Sequence, residues 1–215
     1  MAKPASLLEP VESLQATLIE WGGGKALYRV HQLRYPGNAF NPALKGNARF
    51  SPIVDRFGIV IPTLYAGSTL DCALMETVFH NIPYKAGFKR VSLSILDGQV
   101  HSALTLKRPL RLIDLGTISL HKLGIKRTQL IDTTETHYPR TRRWAQAFYE
   151  QFPKAQGLRW TSRQDDHAHA VVLFGNRIKS SDLSTVSGAT PLIVDGEAIL
   201  PVLDLAIRLG AILAE

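Results

Sequence analysis

The chain of 215 residues contains a single cysteine, Cys72, so it has neither an intramolecular disulfide nor a cysteine-built zinc cluster. Long apolar runs are also missing. Pro4, Glu9, Pro10, Glu12 and Glu20 interrupt the first twenty residues, unlike the continuous apolar core of a secretory signal. No stretch approaches the roughly 18 to 20 apolar residues of a membrane span. A reducing, cytoplasmic setting without membrane contact is the expectation. Two nucleotide fingerprints are absent as well: a Gly-rich loop followed by Lys-Ser/Thr, and a G-x-G-x-x-G opening a helix after a strand. Any nucleotide must be held by other means. No internal repeat or low-complexity segment occurs.

The composition, 45% hydrophobic and 20% charged with 12 dispersed prolines, is that of an ordinary globular chain, and the length suits one domain. The formal charge of +7 attracts anions: a phosphate-bearing metabolite, a nucleic acid or an acidic protein. Basic residues are scattered except for Arg140, Arg142 and Arg143 and the group Lys122, Lys126 and Arg127. A nucleic-acid-binding module is therefore one reading, but no helix-turn-helix signature or interleaved surface aromatics support it.

Leu7, Val11, Leu14, Leu18 and Ile19 recur at helical spacing and predict a helix over 5–20, closed by Gly22 to Gly24. Residues 1–25 are thus expected to form a helical extension to a domain over 26–215. Ala26 to Val30 reads as a strand, and the Pro, Gly and Asn residues of 35–52 as a long structured loop. Gly58 to Ala66 reads as a strand leading into a helix capped at Ser68 or Thr69 and running to about His80. Further strands are expected at 88–96, 110–115, 157–162 and 168–174, and further helices at 138–152 and about 201–213. Because strands and helices do not alternate regularly, the expected fold class is α+β, one compact domain around a mixed central sheet.

Several signals are weak. His167 and His169 share one face of a strand beside Asp165 and Asp166, but no further ligands stand at a telling distance, and no metal site is expected. Cys72 lies among apolar helix residues and reads as packing rather than as a nucleophile.

The helix over 69–80 is different. At 100° per residue, Leu70, Leu74, Met75, Val78 and Phe79 form a broad apolar arc, while Thr69, Cys72, Ala73, Glu76 and His80 form a small, polar one. A lone carboxylate on that face would cost several kcal/mol to bury unpartnered, so Glu76 calls for a cation or a polar ligand. Arg29, inside a short apolar strand, and Arg49, in the 35–52 loop, are candidate partners. Arg29 equally fits a solvent-facing strand position and Arg49 a loop staple; spacing does not decide.

The blocks Leu27-Tyr28-Arg29-Val30, Gly46-Asn47-Ala48-Arg49-Phe50-Ser51-Pro52, Leu64-Tyr65-Ala66 with Ala73-Leu74-Met75-Glu76, Gly157-Leu158-Arg159-Trp160-Thr161-Ser162 and Val171-Val172-Leu173-Phe174 together resemble the RES-domain toxins, in order over about 26–176. The resemblance implies a fold related to ADP-ribosyltransferase toxins and cleavage of NAD⁺ at the nicotinamide–ribose bond. That cleavage proceeds by phosphorolysis or hydrolysis, with inorganic phosphate as co-substrate in the first case and no cofactor. Some members instead transfer ADP-ribose to a protein. It also implies an Xre-like antitoxin partner that blocks the active site, and is compatible with a homodimer inside that complex. In this chain the resemblance implies a catalytic set of Glu76, Arg29 and Ser162. Arg29 and Arg49 suit a pyrophosphate clamp, and Tyr65 a stacking or ribose contact, with a core tyrosine as the alternative. Ser162 would bond the ribose or brace Glu76, and Tyr28 is a further substrate contact. The N-terminal helix and the segment at about 97–135 are expected to set this chain apart from compact members.

Overall fold

The computed structural model describes residues 9–186 and 188–215. Strands β1 (Thr17–Trp21) and β2 (Ala26–Gln32) precede the long loop, then come the small hairpin β3 (Ile53–Val54) and β4 (Val60–Ile61), β5 (Thr63–Gly67) and helix α1 (Leu70–Met75). The middle holds β6 (Lys89–Ser92), β7 (Gln99–Leu106), β8 (Leu110–Asp114), α2 (Thr117–Leu123), α3 (Arg127–Leu130), α4 (Tyr138–Gln151), β9 (Gly157–Thr161) and β10 (His169–Phe174). After these follow β11 (Leu183–Thr185), β12 (Thr190–Pro191), β13 (Ile193–Val194), β14 (Glu197–Ala198), α5 (Leu200–Arg208) and β15 (Ala211–Ala214).

The main sheet runs β1-β8-β9-β10-β5-β2-β7-β11, with β12 also on β7. It is mixed, as the irregular element order implies: β8 and β9 are parallel and the other pairs antiparallel. Period-two alternation sends Leu158, Trp160, Val172 and Phe174 to one face, where Leu120, Leu130, Trp144 and Phe148 from the helices cover them. Val171, Leu173 and Leu112 point the other way. There they meet Trp21, Leu27, Leu104 and Leu183 from distant strands, so the sheet curls over its own side chains. A third cluster joins α1 and the turn after it to α5 through Leu74, Phe79, Val202 and Leu205. No helix among the described residues is long and apolar enough to cross a membrane.

Four expectations about elements need correction. Residues 9–16 form no helix and 17–21 form β1, while the expected helix residues 5–8 lie outside the described residues. Pro10 lacks a backbone donor, and β-branched Thr17 and Ile19 find ladder partners in Asp114 and Leu112. The supposed extension therefore supplies an edge strand of the main sheet.

Helix α1 stops at Met75, with Glu76 as its C-cap. The Thr77 hydroxyl bonds back to the Ala73 carbonyl, and Phe79 N–H reaches Leu74 rather than its helical partner. The run 88–96 is a strand only to Ser92, whose hydroxyl caps a 3₁₀ turn over Leu93–Leu96. The last helix ends at Arg208, because Gly210 (φ 62°) turns the chain into β15, parallel to β6.

Candidate active site

Strands β2 and β5 pair only at Tyr28–Gly67. Gly67 is required there, since a Cβ would lie 2.9 Å from the Ala73 nitrogen and the Cys72 side chain, so the strand turns directly into α1. Beside this junction is a cavity of about 390 Å³ bounded by Tyr28, Arg29, Arg49, Tyr65, Glu76, Tyr138 and Trp160. Its volume lies in the range of small-molecule sites. Ala48, Ala73 and Ala170 leave the space open. The small polar arc predicted for the helix thus faces the cavity through Ala73 and Glu76, while Cys72 packs away in the core.

Glu76 sits at the carbonyl end of α1, where the helix dipole opposes a negative charge. Its Oε1 accepts a 2.7 Å hydrogen bond from the Ser162 hydroxyl. Ser162 is fully buried, and its Oγ also accepts the Gln164 N–H at 3.0 Å. Ser162 thus braces Glu76 from behind, and is not among the residues lining the cavity. Arg127 anchors this brace by donating to the carbonyls of Thr161 and Ser162 at 3.2 and 3.1 Å. No ion pair is formed by Glu76 among the described residues, whose acidic partners lie elsewhere.

Arg29 is half engaged. Its Nη1 donates to the carbonyls of Gly37 and Ala39 at 2.9 and 2.6 Å, stapling the long loop, while no described group accepts from Nε or Nη2. Burial lowers its pKa to about 10, which leaves it charged at neutral pH. The staple works because Gly37 nestles against Ser102, where a Cβ would come within 2.7 Å of the side chain. Arg49 is 4% exposed and lies over the Tyr138 ring at 5.4 Å, with long contacts to Thr133. Phe50, the next residue, is fully buried against Trp160 at 5.0 Å and fixes the loop.

Tyr65 is tied into the core and also borders the cavity. Its hydroxyl accepts the Phe50 N–H at 2.9 Å and its ring meets Trp160, yet it also lines the cavity. Burial pushes its pKa up to about 12, so it acts as a neutral phenol. Tyr28 lines the same cavity. Five of the six candidate residues therefore surround one space and the sixth supports it.

Sequence reasoning gave no site role to Tyr138, Trp160, His80 or Glu135, which also line the cavity. Tyr138 is at the first turn of α4, where periodicity carries no directional signal, and its hydroxyl lies 3.4 Å from His80 Nε2. Other sequence features lie elsewhere. Cys72 is buried, its thiol pushed up to about 12 by burial and then by the charges of Glu76 and Asp165. His169 contacts Arg159 and Trp21, and no metal-binding group occurs among the described residues. Arg143 pairs with Glu9, and Arg127 with Asp132.

No curated protein matches the chain. A chain in the crystal structure of the M. tuberculosis MbcT-MbcA toxin-antitoxin complex is similar in fold, with a TM-score of 0.58 at 14% identity over 79% of this chain and 84% of that one. The likeness agrees with the expected α+β fold around a mixed central sheet. The model of the RES domain matches residues 26–195, which takes in the long loop, the 97–135 segment and every cavity residue named above. The chain belongs to the RES-domain family.

Proposed function

We propose that this protein is the toxin of a type II toxin–antitoxin pair, and that it arrests growth by cleaving the nicotinamide–ribose bond of cytoplasmic NAD⁺. The observation that carries the reading is Glu76: a carboxylate held by one serine on the wall of a cavity whose arginines leave it unpaired. Family membership and the fold shared with a toxin–antitoxin complex support it.

Loss of nicotinamide develops oxocarbenium-like positive charge at C1 of the ribose, and a fixed carboxylate there stabilises the transition state more than the ground state. Glu76 supplies that charge, and Ser162 holds its orientation so that little reorganisation remains for the reaction step. The free half of the Arg29 fork and the Arg49 guanidinium bind the dinucleotide's phosphates, replacing the Gly-rich loop that the chain lacks. Tyr28, Tyr65 and Trp160 offer rings against nicotinamide and ribose. The bond broken is C1–N, and nicotinamide leaves neutral with the bonding pair. The acceptor is water or inorganic phosphate. An Xre-like antitoxin is the proposed partner, silencing the enzyme by covering this cavity.

Incubating the purified chain with adenylate-labelled NAD⁺ tests the reading. Nicotinamide release with label in ADP-ribose or ADP-ribose 1-phosphate is the expected result. Label on a protein band would identify ADP-ribosyl transfer instead, and intact NAD⁺ would remove the enzymatic reading altogether.

A further inference from the structure

His80 stands between two hollows. Together with Asn81 it lines the cavity and also an outer hollow of about 310 Å³, whose wall continues through Tyr84, Arg163 and Gln164. The connection between β9 and β10 supports both His80 and Glu76. Ser162 donates to Glu76, its Oγ accepts the Gln164 N–H, and the Gln164 side chain donates to the His80 carbonyl at 2.8 Å. Gln164 is held in turn by the Tyr84 hydroxyl, which donates to its Oε1 at 2.7 Å. A carboxylate and an imidazole are thus fixed beside one cavity from a common support.

The tautomer of the imidazole follows from its partners. Nδ1 faces Asn81 Oδ1 at 2.9 Å, and an amide oxygen only accepts, so Nδ1 carries the hydrogen. Nε2 then presents a lone pair. The buried Tyr138 hydroxyl, which needs an acceptor, meets that lone pair at 3.4 Å. The contact is long, so a donor that comes closer can take the place of the phenol.

Cleavage of the glycosidic bond by water leaves a proton to be removed. The guanidiniums of Arg29 and Arg49 are donors only, and Tyr65 is a neutral phenol. Glu76 has to stay ionised to stabilise the oxocarbenium charge, and a proton delivered to it would cancel that effect. Two bases remain on the cavity wall: Glu135, which is exposed, and half-buried His80, whose lone pair is turned to another lining residue.

We propose that His80 is the general base of this site and takes the proton of an acceptor water that enters from the outer hollow. The inference rests on the NAD⁺ reading and deepens it by selecting water as the acceptor. The water oxygen forms the new bond to ribose C1 as the C1–N bond breaks, and nicotinamide leaves neutral with the bonding pair. The water proton passes to Nε2, and the imidazolium later returns it to solvent. The charged and titratable groups around His80 are Glu76, Glu135, Arg49 and Tyr138 on the cavity side and Arg163 and Tyr84 on the outer side. Of these, Glu135 is the rival base.

Nicotinamide release in phosphate-free buffer, followed across pH for the wild type, His80→Gln and Glu135→Gln, tests the assignment, with circular dichroism confirming each fold. His80→Gln should lower kcat about 100-fold or more at unchanged KM. The limb along which wild-type kcat rises with pH, between about 5 and 8, should disappear with it. Azide, an anionic nucleophile with no proton to lose, should restore release by His80→Gln, whereas a merely structural loss would not respond. Four results overturn the proposal and leave the NAD⁺ reading standing: a limb that survives in His80→Gln, a limb lost in Glu135→Gln instead, a loss that azide does not rescue, or wild-type release that requires added phosphate, which brings a basic oxygen of its own. No release by the wild type, with or without phosphate, removes both.

Discussion

Two charged clusters flank the β9–β10 hairpin, one on each face, and they are built on opposite rules. On the face away from the cavity, Asp114 and Arg159 lie 2.6 Å apart with side chains only 14% and 19% exposed. The Ser119 hydroxyl and Gly116 N–H complete the carboxylate, and His169 meets the guanidinium, leaving Arg159 Nε and His169 Nδ1 unmatched. On the cavity face, the side chain of Glu76 has Ser162 alone among the described residues, while Arg29 and Arg49 lean on neutral groups. The first cluster uses its charges on itself, so it is structural. The second keeps opposite charges apart around an open volume, where they remain available to something that enters.

Breaking the paired cluster should have the largest effect. Asp114→Asn leaves Arg159 without its counter-charge, and stability should fall by about 3 kcal/mol, a drop of roughly 10 °C in Tm for a chain of this length. Thermal unfolding reads this directly, and NAD⁺ cleavage per folded molecule should survive.

Ser162→Ala probes the other cluster with a smaller structural cost. Losing one hydrogen bond should cost about 1 kcal/mol of stability. With Glu76 no longer oriented, kcat should fall about 10- to 100-fold with little change in KM. Steady-state kinetics showing a raised KM at constant kcat would instead place Ser162 in substrate binding.

Acid should separate the clusters further. Burial by itself raises the Asp114 carboxyl, but bonds from Ser119, Arg159 and Gly116 outweigh it and hold the pKa below the ordinary 3.8. The stabilisation is therefore present above 3.8 and lost as pH falls through the depressed folded value. For His169, burial and then Arg159 lower the pKa below 6.5, so the unfolded chain takes up its proton first and stability declines as pH drops below 6.5. Urea unfolding across acidic pH should show both declines, and Asp114→Asn should flatten the lower one.

The smallest expected effect is at Cys72. Buried, with its thiol pushed up to about 12, it should resist iodoacetamide in the native state and react once unfolded, and blocking it should be unnecessary in activity assays.

Elements whose fate is decided locally were legible in the sequence. Short β-prone runs found β2, β9 and β10, and helical spacing found α4. Where partners far along the chain decide, local pattern misled. Thr17–Trp21 looks helical until β8, about ninety residues away, offers a ladder, and Ala211–Ala214 until β6 does. The same holds in the site. Glu76 stood out because its own helix face was small and polar. The Ser162 brace bridges 86 residues, and its anchoring by Arg127 reaches from a basic group that read as surface charge. Arg29 and Arg49 entered through family resemblance, and the half-used fork of Arg29 follows only from the loop carbonyls packed against it.

If Glu76, and not the Asp114 pair, is the chemical centre, substitutions at the two carboxylates must separate. Nicotinamide release by Glu76→Gln and Asp114→Asn, each measured at a temperature where circular dichroism shows the fold intact, tests it most directly. A loss of about 100- to 1,000-fold is expected for Glu76→Gln, with near wild-type turnover for Asp114→Asn. Undiminished release by folded Glu76→Gln would contradict it.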